Sequence, residues 1–266
     1  MYKIQANLLD YLDDEGKDQE KFQSLISILD QMNIHNNQHD TKLILHLLLQ
    51  ISNNHHRNIY FMSKIFEIVK KNEKETIPIS FHHCIWTALD IIVPENDTIN
   101  KMCHLLIENE NILLNSPIFE NFISIMSIIY RGIALIPFLP SFIRPFWLSI
   151  VNKIKTNDLF LSKMKKEYSN IDLNTIFKGL TILGQSGIEK FNSYKVSNIN
   201  LWAPFDSALQ SNWDKQRKTM SDTIKKNVDT FLNQLEKNGE TFLQKTRNMI
   251  IKDILHRCKS KSIACS

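Results

Sequence analysis

Residues 20–32 read EKFQSLISILDQM, in which Phe22, Leu25, Ile26, Leu29 and Met32 recur at the spacing that puts them on one face of a helix. Residues 41–51, TKLILHLLLQI, repeat the pattern through Leu43, Ile44, Leu47, Leu48 and Ile51, with Asp40 or Thr41 placed to cap the start. The polar NIHNNQHD stretch between them, residues 33–40, is a short connection, so the two helices are expected to pack antiparallel as a helical hairpin.

The same reading extends along the chain. The run Asn53 to Asn58 breaks the periodicity, and Tyr60, Phe61, Met62, Ile65, Phe66, Ile68 and Val69 restart it. Pro78 precedes a helical stretch from Phe81 to Ile92, which Pro94, Asn96 and Asp97 close; a short apolar helix over Met102–Ile107 and a turn at 109–111 follow. Between 153 and 205 the pattern is less regular: a helix is expected near Ile171–Leu183, a break at Gly184 and Gly187, and a loop over Asn198–Pro204 anchored by Trp202. Beyond it Met220, Ile224, Val228, Phe231 and Leu235 step close to a coiled-coil seam, interrupted at Gly239. The expected fold is all-α: stacked helical hairpins, irregular and α-solenoid-like, with a C-terminal amphipathic helix or helix pair. The expected division is a helical-hairpin domain over residues 1–200 and a basic amphipathic region over 201–266.

Composition agrees with a globular helical chain. Of 266 residues, 43% are hydrophobic and 23% charged, and only six Gly and seven Pro are available for the tight turns that an all-β or glycine-loop enzyme uses. The formal charge of +4 is unevenly placed, since from Asp214 onward twelve Lys and Arg stand against six Asp and Glu. That C-terminal face carries Lys218, Lys225, Lys226 and Arg247 among its cations and can attract an acidic partner, an anionic lipid surface or a polyanion, but Asp222, Asp229, Glu236 and Glu240 dilute the field as on an ordinary solvated helix face. Cys84, Cys103, Cys258 and Cys265 form no C-x-x-C pair, and the opening MYKIQANLLDYLDD lacks the basic and apolar regions of a secretory signal, so a reducing intracellular, cytoplasmic setting is expected.

Residues 118–151 are the most apolar part of the chain and raise a membrane reading. A spanning helix needs roughly 20 consecutive apolar residues, whereas Arg131 and Arg144 bound an uncharged run of twelve that contains Pro137 and Pro140. A buried helix followed by a proline-broken segment is expected instead, with membrane association through this segment and the basic tail kept as the alternative.

Reactive chemistry has few seats. His82-His83-Cys84 and Cys103-His104 hold zinc-ligand types, but neighbours on a helix point about 100° apart and do not converge on one ion. A second alternative, a metal-dependent or cysteine hydrolase around Cys84 and His104, requires these residues to meet across two helices. No G-x-S-x-G elbow, Walker loop or G-x-G-x-x-G occurs. No catalytic residue, cofactor or metal ligand is therefore assigned, and the chain is read as a non-catalytic protein.

The string ISNNHHRN at Ile51–Asn58, followed by Phe61 and Ile65-Phe66, resembles the N-terminal helical domain of unknown function that precedes ankyrin-repeat arrays in protozoan proteins. Asn7–Asp13, Phe22–Ile26 and Leu43–Ile51 share the likeness, which covers about residues 1–70 and fades by 150. The resemblance implies protein–protein contacts as the function, with other proteins as partners and nucleic acid not expected. Physically, Asn53, Asn54, His55, His56 and Arg57 suit a corner between helices, where Asn side chains cap the backbone and Arg57 reaches open carbonyls. The chain departs from the pattern in lacking the T-P-L-H-x-A string of an ankyrin unit.

Overall fold

The computed structural model describes residues 19–34, 42, 45, 48–49, 55–72, 76–77, 79–92 and 96–236. Among these residues every regular element is a helix, so the chain is all-α. The helices are α1 (Gln19–Ile34), α2 (His55–Lys71), α3 (Ile79–Ile92), α4 (Asn96–Glu108), α5 (Glu110–Leu114), α6 (Phe122–Leu135), α7 (Arg144–Lys155), α8 (Asp158–Glu167), α9 (Leu173–Ser186), α10 (Ile188–Ser197) and α11 (Ile199–Glu236). The backbone at Lys42, Leu45, Leu48 and Leu49 is helical as well.

Two compact units divide the chain: one drawn from Met1–Glu75 and Met220–Ser266, the other Thr76–Thr219. The position expected to separate the two parts, 200–201, lies inside α11. In the first unit, the face read from residues 20–32 is buried at Phe22, Leu25 and Ile26, and the face restarting at Tyr60 is buried at Phe61, Met62, Ile65, Phe66, Ile68 and Val69. Phe22 meets Phe61 edge-to-face at 5.9 Å, a favoured aromatic geometry. Lys64 ties α2 to α1 through Asp30 at 3.2 Å.

In the second unit α9 packs against both α7 and α10, and α3 against α4 and α6. Asparagine and aspartate set the helix starts: Asn121 accepts from Ser124 N–H at 3.0 Å, Asn157 from Phe160 N–H at 2.8 Å, and Asp172 from Asn174 N–H at 3.1 Å. Asn157 also donates to the Phe119 carbonyl at 2.7 Å, which fixes α8 to the turn before α6. The expected break near residues 184–187 falls at Gly187 alone: Gly184 is inside α9, and Gly187 at φ 82° occupies the left-handed region that suits glycine and turns the chain into α10.

The segment 118–151 contains a buried helix and then a proline-broken stretch. α6 ends at Leu135 and gives way to two 3-10 turns, Ile136–Phe138 and Ser141–Ile143, before α7 starts with Pro145 in its first turn. No helix among the described residues is long and apolar enough to cross a membrane.

One expected loop is corrected. Residues 199–204 belong to α11, with Pro204 in its second turn. A proline there removes one backbone donor, but Trp202 and Phe205 on either side of it are fully buried, and their burial outweighs the lost bond. Trp202, Phe205, Leu209, Asn212, Trp213 and Gln216 are all buried and recur at helical spacing, so the first half of α11 is a core element of the second unit. The seam from Met220 to Leu235 is helical in backbone; its side chains, like Gly239 and Arg247, lie outside the described residues.

Candidate functional site

Among the described residues, His82, His83 and Cys103 lie in the second unit and are buried. His82 and His83 are neighbours on α3, and the angle between successive helical side chains sends each ring to a different partner. His82 Nε2 hydrogen-bonds Ser116 Oγ, in the turn after α5. His83 Nε2 pairs with the Gln216 side-chain amide on α11. Both imidazoles are buried, 5% and 4% exposed.

Burial holds both rings neutral. Desolvation, then the neighbouring His83, pushes His82 from 6.5 to about 3; desolvation, then the charge of Arg131, does the same to His83. Arg131, itself buried on α6, lies 4.4 Å over the ring of Trp213, and Tyr130 stacks on the same indole at 5.4 Å. Asn212, one residue before it, donates to Tyr168 Oη at 2.9 Å and to the Ala208 carbonyl at 2.8 Å. The centre is therefore a set of polar clasps that join α3, α6 and the first half of α11, each inside the apolar packing.

Little space opens beside the buried imidazoles. A cavity of about 20 Å³ reaches His82 between Ile85, Trp86, Leu113, Phe119 and Phe146; it has room for about one water, far below the 300 Å³ or more of a typical small-molecule site. Burial pushes the Cys103 thiol up to about 12, away from the thiolate a nucleophile needs. His104 is exposed and stacks on Phe142 at 4.6 Å. Among the described residues no group of three or more His, Cys, Asp or Glu is placed to hold a metal.

No family model matches the chain, and no curated protein or solved structure matches it. The site therefore rests on geometry.

The corner and the basic face are placed as follows. Asn53, Asn54 and Arg247 lie outside the described residues. His55, His56 and Arg57 form the first turn of α2 rather than a break ahead of it; His56 is exposed, while Arg57 is only 5% exposed. The Arg57 guanidinium sits 4.6 Å over the Phe22 ring and donates to Gln19 Oε1 at 3.4 Å, so it binds α1 to α2 within the first unit. Lys215 and Lys218 are exposed on the second unit's part of α11, and Lys225 and Lys226 on the first unit's part. Asp214 holds Arg217 at 3.5 Å, an exposed pair of small energetic weight.

Two features escaped sequence reasoning. Asn212 and Gln216 belong to the buried stripe of α11, and the signal was present: they continue the spacing of Trp202, Phe205 and Leu209, but polar residues are not scored as core. The second is an apolar corner between α10 and α11, where Val196 is 70% and Ile199 53% exposed, with Leu201 beside them.

Proposed function

We propose that this chain is a non-catalytic protein–protein interaction or scaffold protein of a reducing intracellular compartment, related to the helical domains that precede ankyrin arrays. The observation that supports the reading is that His82, His83 and Cys103 are held as neutral, buried packing groups while Val196 and Ile199 stand exposed. Val196, Ile199 and Leu201 supply exposed apolar side chains of the kind that interfaces bury, and Lys195 on α10 pairs with Asp206 on α11 at 2.7 Å. The lysines of α11 provide charge for steering a partner of opposite sign.

Replacing Val196 and Ile199 together by Asp tests this. Both side chains are already largely in water, so the double variant is expected to keep the helical circular dichroism and the melting temperature of the parent to within a few degrees. Affinity capture followed by quantitative mass spectrometry is expected to lose a defined protein from the double variant, and recombinant addition of that protein to bind the parent and not the variant. Identical capture by the two chains, or turnover of a substrate by the purified parent, contradicts the reading.

A further inference from the structure

We draw no further inference here: the strongest candidate, the side-chain cluster where the half-buried Arg144 guanidinium lies against Gly187 at the start of α10, rests on a helix N-terminus that carries the exposed Glu189 in the same turn, and nothing else in the structure points to a ligand there.

Discussion

Lowering the pH from 7 to 5 is expected to destabilise the second unit by about 4 kcal/mol, read as a fall in its urea midpoint with an unchanged m-value. The cause is the buried pair His82 and His83, whose values are pushed from 6.5 to about 3 in the folded chain. Above pH 6.5 the folded and unfolded states are both neutral at these rings, and the full stability is present. Below it the unfolded state takes up protons that the folded core excludes, so stability falls as pH falls, by about 1.4 kcal/mol per pH unit for each ring until about pH 3. The carboxylate of Asp172 works in a different window. The Thr175 hydroxyl and backbone N–H groups hold it below 3.8, so its contribution is present above that value and is lost only in stronger acid. Between pH 7 and 5 the slope therefore belongs to the histidines, and a His82→Gln variant is expected to halve it. A midpoint that does not move over this range contradicts the buried, neutral assignment.

Adding a single methyl group at Gly132 or Gly179 is expected to have the second large effect. A Cβ at Gly132 falls within the ring of Trp147, and one at Gly179 within the ring of Trp202; both indoles are fully buried. In an open helix, Gly→Ala stabilises by about 1 kcal/mol. Here overpacking costs about 1–3 kcal/mol or more, and Trp147 has little freedom to move because its Nε1 donates to the Leu180 carbonyl at 3.1 Å. Each variant is expected to lower the melting temperature by several degrees. Gly184→Ala is the intermediate case: its added Cβ meets Leu148 atoms at 2.6 and 2.8 Å on a half-buried, flexible side chain but also Trp147 Cδ1 at 2.9 Å, so a loss is expected here too, smaller because the closest neighbour can give way. Gains in stability at both Gly132 and Gly179 contradict the seating of these indoles.

Much of the fold was legible because apolar spacing is a direct record of burial. Phe22, Leu25 and Ile26, and the run Phe61 to Val69, are buried as their period requires. The arginines and prolines of residues 131–145 separated a buried helix from a bilayer span by length alone. The signal weakened where local propensity and tertiary packing disagree. Asn198 is the turn it reads as, but Pro204 also reads as loop, and there the fully buried Trp202 and Phe205 draw the backbone into α11. The polar centre was illegible for another reason: a histidine's partner lies far along the chain, Ser116 for His82 and Gln216 for His83, and no periodicity announces such a pairing. The basic C-terminal charge was counted correctly, but the sequence does not say that the first half of α11 lies in a core. A chain truncated at Trp202 thus loses Phe205, Leu209 and Trp213 along with its lysines and is no clean test of the tail.

The central claim is that His82 and His83 of the second unit are sealed, neutral, into packing. Histidine ring chemical shifts followed by NMR across pH 8 to 5 test it most directly. The rings of His82 and His83, assigned by single substitution, are expected to stay neutral and unshifted throughout. Titration of either ring near 6.5, at the rate of an exposed imidazole, contradicts the account and returns that histidine to the surface as a candidate general base.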